Sequence, residues 1–223
     1  FAKNNIKVLS EIGAGVIGRA CVAALMAVLK QVEEIRIYDI NQEAAQKYCQ
    51  ELSETYGVRV VAVESVEAAV RGADVINVAT AGAVSPEIHD EWLKEGVLLT
   101  LPASAALSLD TMKSSRIVVD NWKMYEAYAQ ELRGLPGGYA ANLSGICGYL
   151  MDLVESGEIP QKDIVNLGDV IAGKQECRRN DRERVIFIMD GMPIEDLAWG
   201  YTVYENAKKM GLGTKLNLWE KTR

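Results

Sequence analysis

Ile6-Lys7-Val8-Leu9-Ser10-Glu11-Ile12 runs straight into Gly13-Ala14-Gly15-Val16-Ile17-Gly18-Arg19, and Ile35-Arg36-Ile37-Tyr38-Asp39 follows one helix later. An apolar run, a glycine turn and a helix uncharged over residues 20–29 make the order of a βαβ unit. Each part has a physical job. Gly13 permits the tight turn, Gly15 lets the backbone approach a pyrophosphate, and Gly18 lets helix and strand pack closely. The helix N-terminus offers N–H groups and a positive dipole end to the phosphates. Asp39 ends the next strand 21 residues after Gly18, where a carboxylate would accept hydrogen bonds from ribose hydroxyls. The cofactor-binding set expected from this pattern is Gly13, Ala14, Gly15, Val16, Ile17, Gly18, Asp39 and Ile40. NAD is favoured over NADP, because Asp39 would repel a 2′-phosphate and Ile40-Asn41-Gln42 bring no Arg or Lys to pair with one. FAD is the runner-up ligand, ranked below NAD for want of a second flavin motif. A structural turn that binds nothing is the plainest alternative.

Outward from this unit the alternation continues. Strands are expected at residues 59–63, 75–80, 97–101 and 117–120, and helices at 42–56, 66–71, 86–94 and 109–113. The strands are short and apolar on both sides, as buried parallel strands are. The fold class is therefore α/β, a Rossmann-type doubly wound parallel sheet with a C-terminal helical extension. After Asp120 the rhythm changes. Helices are expected at 122–132, 141–156 and 194–210, a polar broken stretch at 158–181, and a last strand at 185–189. Residues 1–140 are expected to form the dinucleotide-binding core, and 141–223 the C-terminal helices plus a last strand completing the same domain. The tail Leu216-Asn217-Leu218-Trp219 is short and apolar.

Composition excludes several other classes. Of the 223 residues, 49% are apolar and 25% charged, the mix of a globular protein with a core. Acids outnumber bases 31 to 24 with no basic stripe, so no nucleic-acid partner is expected. No stretch reaches the ~20 apolar residues of a membrane span. The four cysteines, Cys21, Cys49, Cys147 and Cys177, have neither zinc nor redox spacing, so reduced thiols and a cytoplasmic setting are expected. A single histidine, His89, cannot build a His-rich metal site, and no metal is expected. Ser85-Pro86-Glu87-Ile88-His89 has the form of a helix start, with His89 exposed on that helix.

In open α/β sheets ligands sit outside the carboxyl ends of the strands. The loops there include Thr80-Ala81-Gly82, Leu101-Pro102-Ala103-Ser104, Asn121-Trp122-Lys123 and Asp190-Gly191-Met192-Pro193. Thr80, Ala81, Gly82, Leu101 and Pro102 join the expected cofactor set. Hydride transfer needs orientation and a proton donor or acceptor from the protein. Ser104, Lys123 and Asp190 are the catalytic candidates, with Tyr125 beside them. Each also has a plain role as a cap, a surface charge or a turn former.

The whole chain resembles the ornithine cyclodeaminase/mu-crystallin family. The resemblance rests on the glycine turn, on Ile35-Arg36-Ile37-Tyr38-Asp39, on Val118-Val119-Asp120-Asn121 and on Leu167-Gly168-Asp169-Val170-Ile171-Ala172-Gly173-Lys174. It rests most specifically on Gly191-Met192-Pro193-Ile194-Glu195-Asp196-Leu197-Ala198-Trp199-Gly200 followed by Val203-Tyr204. Within the family the chain is most similar to the tyramine oxidase branch. The resemblance implies NAD-dependent interconversion of amino acids with imino or keto acids, with a small amino or imino acid as substrate. It also implies an N-terminal domain ahead of the glycine turn that supports a homodimer and holds the substrate carboxylate. That domain is expected to be absent from this chain. True cyclodeaminases carry an Asp at the position aligned with Ser104. A hydroxyl cannot replace a carboxylate in proton transfer near neutral pH, so efficient ornithine cyclisation is not expected. A non-catalytic NAD-binding accessory protein is the alternative function.

Overall fold

The computed structural model describes residues 1–216 apart from positions 83 and 144. Its first half alternates as β1 (Val8–Ile12), α1 (Val16–Val28), β2 (Glu34–Tyr38), α2 (Gln42–Tyr56), β3 (Arg59–Ala62), α3 (Val66–Val70), β4 (Val75–Val78), β5 (Glu87–Ile88) and β6 (Leu98–Leu101). The second half continues as β7 (Ala106–Leu107), α4 (Leu109–Ser114), β8 (Arg116–Val119), α5 (Trp122–Leu132), α6 (Gly138–Asn142), α7 (Ile146–Glu155), β9 (Val165–Asn166), α8 (Leu167–Ile171), β10 (Val185–Ile188) and α9 (Pro193–Lys209). Eight strands form one sheet in the order β3-β2-β1-β4-β6-β10-β8-β9, and every pairing in it is parallel. The chain enters at β1, steps outward through β2 and β3, then returns to β4 on the other side. The winding reverses between β1 and β4, the switch point where open α/β sheets hold ligands.

Alternating side chains send one set of each strand to each face. Leu9, Ile35, Ile37 and Val75 bury against Val22 and Met26 of α1 and Tyr48 and Leu52 of α2. Ile12, Ile76, Leu99, Leu101 and Ile186 bury against Met112 of α4, Tyr125 of α5 and Leu150 of α7. Both faces are covered, which is why the strands lack a polar side. Each fully buried Leu or Ile contributes roughly 1.5–3 kcal/mol relative to exposure. One row breaks the pattern: Glu11, Asn77 and Thr100 stand side by side on β1, β4 and β6, all buried.

Three local expectations are corrected. Residues 86–94 form no α-helix. Glu87–Ile88 pairs with Ala106–Leu107, and Asp90–Trp92 makes a single 3₁₀ turn. The cap signature Ser85-Pro86 is local, whereas burial of Ile88 (2% exposed) and the Ala106 amide donating to the Pro86 carbonyl are tertiary and outweigh it. His89 is exposed as expected, but it precedes that turn and packs edge-on against Trp92 at 4.4 Å. The helix expected over 141–156 is two. Gly145 at φ 89° and ψ −172° is not helical, and α7 starts after it. The α7 carboxylate of Asp152 then accepts the Tyr139 and Ala140 amides at 2.7 and 2.9 Å, capping α6. The stretch 158–181 holds β9 and α8, with Trp122 donating its amide to Asn166 at 2.7 Å. Of the apolar tail, residues 217–219 lie outside the described residues.

Phe1–Asp190 is one compact unit, and a second begins at Gly191. Within the second, α9 carries Glu195 and Asp196 in its first turn and Lys208 and Lys209 in its last, matching the helix dipole. No described helix is long and apolar enough to cross a membrane.

Asp74 ties the start of β1 to the sheet. Its Oδ2 accepts the Lys7 and Val8 amides at 2.8 and 3.0 Å, and its Oδ1 meets the ammonium groups of Lys94 and Lys3 at 2.6 and 3.1 Å. Burial alone would raise this carboxyl. Lys94, the two amides and Lys3 outweigh it and hold it at about 2. A folded value below the unfolded one gives stability that is full above about pH 4 and lost as pH falls through 2. Asp74→Ala is expected to cost roughly 2–4 kcal/mol in urea unfolding at pH 7. It should also flatten the acid limb of the wild-type Tm profile in that window.

Candidate active site

The glycine turn lies where β1, β4 and α1 converge. Gly13 has φ 114°, and a Cβ there would stand 2.5 Å from the Ala79 carbonyl oxygen just past β4. Its amide donates to the Tyr38 carbonyl at 2.8 Å. Gly18 sits in the first turn of α1, where a Cβ would come within 2.2 Å of the Gly13 carbonyl oxygen and 2.5 Å of Glu11 Oε1. No side chain fits at either place. Gly15 is different: its Cβ would meet nothing within 4 Å, and it borders an open cavity. The turn therefore presents bare backbone and the amides of Val16, Ile17 and Gly18, which a helix leaves without carbonyl partners of its own.

Asp39 closes the turn from β2. Its Oδ2 accepts the Ala14 amide and its Oδ1 the Asn41 amide, both at 2.8 Å. Asp39 also borders the same cavity of about 560 Å³, with Tyr38, Ile40, Val66 and Val84 supplying apolar wall. Of the expected cofactor set, Val16 and Ile17 are exposed and Ala14 and Gly18 buried. A second cavity, of about 400 Å³, opens at the ends of β4, β6 and β10 and shares Thr80, Ala81, Gly82 and Ser85 with the first. The two therefore adjoin along the carboxyl edge of the sheet. Leu101, Pro102, Ser104, Cys147 and Asp190 also line the second.

The catalytic candidates separate here. Ser104 is half-buried, and its Oγ accepts the Ile146 amide at 3.0 Å, capping α7. Asp190 donates its amide to Asp120 Oδ2 at 2.8 Å, and its carboxylate accepts from Cys147 Sγ at 3.6 Å. It is the one carboxylate among the described lining residues, which include no Lys or Arg. Lys123 is exposed on the first turn of α5 and lines neither cavity. Tyr125 is fully buried, with its hydroxyl 3.6 Å from Cys147 Sγ. Burial, together with the neighbouring Cys147 and Asp120, raises that hydroxyl far above the ordinary tyrosine range, so it stays protonated.

Sequence reasoning missed Cys147. Burial pushes its thiol up to about 12, with Asp190 adding to the rise, so it is a neutral donor to the carboxylate. Tyr128 was missed as well. Its hydroxyl is raised first by burial and then by the charge of Asp190 and a hydrogen bond to it. Helical spacing places Tyr125 and Tyr128 on one side of α5 and could have paired them. Nothing local ties either to Cys147.

The family model described as "Ornithine cyclodeaminase/mu-crystallin family" matches residues 1–211. Alanine dehydrogenase of Archaeoglobus fulgidus is 30% identical across 97% of this chain and 62% of its own length. Among solved structures, Thermococcus litoralis Δ1-pyrroline-2-carboxylate reductase in complex with NADH and L-proline superposes with TM-score 0.77 at 28% identity, covering 97% of this chain and 62% of that one. An archaeal alanine dehydrogenase dimer with bound NAD superposes with TM-score 0.76 at 27% identity, covering 98% and 63%. The chain thus spans under two thirds of the length of these relatives. With almost every residue inside the family match and the same sheet beneath it, the chain belongs to the ornithine cyclodeaminase/mu-crystallin family.

Proposed function

We propose that this chain is the dinucleotide-binding part of an NAD-dependent oxidoreductase acting on an amino acid or imino acid. The observation that carries the proposal is one cavity at the switch point bordered by Gly13, Gly15 and Asp39. Bare backbone at Gly15 and the first-turn amides of α1 suit a pyrophosphate. Asp39 keeps oxygen lone pairs for ribose hydroxyls beyond the two amides it accepts, and its charge disfavours a 2′-phosphate. Tyr38, Ile40 and Val66 offer an apolar wall to a base. When bound, the nicotinamide supplies the hydride acceptor or donor.

Thr80, Ala81, Gly82, Leu101 and Pro102 orient the nicotinamide end, and Asp190 exchanges the proton of the substrate nitrogen. Cys147 and Tyr128 hold that carboxylate by donating to it. Relatives named for alanine and for Δ1-pyrroline-2-carboxylate favour a small amino or imino acid as substrate. The second cavity brings no cation for such a substrate's carboxylate, so that partner comes from outside its described lining. A homodimer is proposed on the strength of the archaeal alanine dehydrogenase, solved as a dimer. A cytoplasmic setting is proposed from four free thiols. One observation favours a second reading, an accessory NAD-binding protein without turnover: the Ser104 hydroxyl is committed to capping α7.

Fluorescence titration with NADH is expected to show saturable binding, tighter than for NADPH. Asp39→Ala should weaken NADH binding roughly tenfold or more and narrow that preference, since it removes charge-assisted hydrogen bonds and the brace on Ala14. Equal affinities in wild type and variant would refute the ribose assignment.

NADH oxidation is expected with Δ1-pyrroline-2-carboxylate or with pyruvate plus ammonia when the whole protein is assayed. Asp190→Asn should lower kcat by roughly 10²–10⁴-fold while leaving the NADH Kd within about twofold. Binding without turnover on any imino or keto acid would favour the accessory role.

Ornithine and NAD are expected to yield no proline at an ordinary enzymatic rate, on the order of 1 s⁻¹. Ser104 accepts an amide and has no base bonded to it, so it cannot serve as a proton acceptor. Proline detected by chromatography at that rate would overturn this.

A further inference from the structure

Glu11 is the residue that the site described so far does not use. It lies on β1 two residues before Gly13 and is wholly buried. One oxygen, Oε2, accepts from Asn77 Nδ2 at 2.7 Å, and Asn77 Oδ1 accepts from Thr100 Oγ1 at 2.6 Å. The other oxygen, Oε1, has no hydrogen-bond partner. It faces the first turn of α1 so closely that a Cβ on Gly18 would stand 2.5 Å from it. A carboxyl group is thus set in the sheet beneath the turn that carries the glycine motif.

We propose that Glu11 is a proton-dependent positioning residue for the glycine turn, with the turn held for dinucleotide binding while the carboxyl is neutral and weakened as it ionises. The proposal rests on the cofactor assignment above for its binding half and on the geometry of β1 and α1 for its structural half.

The physics has two parts. An ionised carboxylate with one unsatisfied oxygen in a dry interior is costly, and the nearest polar relief is movement of the α1 first turn or entry of water. Its charge would also sit beside the helix N-terminus that must receive a dianionic pyrophosphate, cancelling part of the positive end of the dipole. The charged and titratable groups around Glu11 do not offset this. From α1 these are Cys21 and Arg19, and from α2 Tyr48 and Glu51. From the sheet come only the neutral Asn77 and Thr100. Arg19 pairs with Glu51, donates to the Ala14 carbonyl at 3.2 Å and lies 4.2 Å over the Tyr48 ring, so its charge is engaged elsewhere. The Tyr48 hydroxyl and the Cys21 thiol are both raised, first by burial and then by the Glu11 charge. Burial likewise raises the Glu11 carboxyl well above the ordinary carboxylate value, against the lowering by Asn77. A folded value above the unfolded one means stability that is full below about pH 4.5 and lost as pH rises through the folded value.

The test compares wild type, Glu11→Gln and Glu11→Leu across pH 6–9.5, with two readouts: the NADH Kd and the Tm without ligand. The pyrophosphate of NADH keeps its charge over this range, so its own titration does not enter. Wild-type NADH binding is expected to weaken roughly 5- to 100-fold from the acid to the alkaline end. Glu11→Gln, which keeps the shape and the Asn77 partner, should bind within about twofold at every pH. Wild-type Tm should fall over the same interval, while the Gln variant's stays level. A parallel decline in wild type and Gln variant, or a flat wild-type profile in both readouts, overturns the proposal. If no form binds NADH at any pH, the cofactor assignment fails. The Tm profiles then decide Glu11 alone: a wild-type decline absent from the variant supports the proposal, and matching profiles reject it. Should the Gln variant fail to fold, the Leu variant and the wild-type profile carry the same comparison.

Discussion

Three backbones meet within van der Waals range at the head of α1, and the rest of the site depends on that crowding. Gly13 presses on the Ala79 carbonyl beyond β4, and Gly18 presses on both the Gly13 carbonyl and Glu11. Without side chains at these two points, α1 can sit directly on β1, and its first-turn amides then open over the edge of the sheet. A methyl group at either would have to displace backbone, which in a close-packed interior moves the helix rather than the strand. Asp39 completes the arrangement by joining β2 to the turn through the Ala14 amide.

The polar row Glu11–Asn77–Thr100 runs under the same crowding. A buried polar network is favourable when every member is satisfied and costly when one is not. Here Thr100 and Asn77 are satisfied in sequence, and the row ends on an oxygen without a partner beside Gly18. Apolar residues would have built this part of the sheet at lower free energy. Their absence at three adjacent strands marks the sheet centre as more than packing.

At the other end of the carboxyl edge, function and structure compete for the same groups. Ser104 stabilises the start of α7, and Gly145 is held without a side chain because a Cβ would stand 2.5 Å from the Ser104 hydroxyl. Asp190 is anchored through its own amide to the buried Asp120, leaving the carboxylate to face Cys147 and the cavity. Neutral donors around one carboxylate favour its ionised form and fix its direction, which is what proton exchange with a bound amine requires.

Much of this was legible in the residues. The glycine spacing with Asp39 carries its own geometry, because φ above zero at Gly13 and the close approach at Gly18 are demands that only glycine meets. Short β-branched strands alternating with helices imply a parallel sheet covered on both faces, and the sheet is that. The family motifs lie in the sequence as well. What tertiary structure decided are contacts between residues far apart in the chain. The Ser85-Pro86 cap signature yielded to a strand pairing with Ala106–Leu107, about twenty residues away in sequence. The apolar look of Val8–Ile12 concealed Glu11, whose partner is 66 positions on. Cys147 gains meaning only because Asp190 and Tyr125 arrive beside it from the end of β10 and from α5. Local patterns fix elements whose energy is local. A buried hydrogen bond or a cavity wall depends on which strand lies next to which, and that order exists only once the sheet has closed.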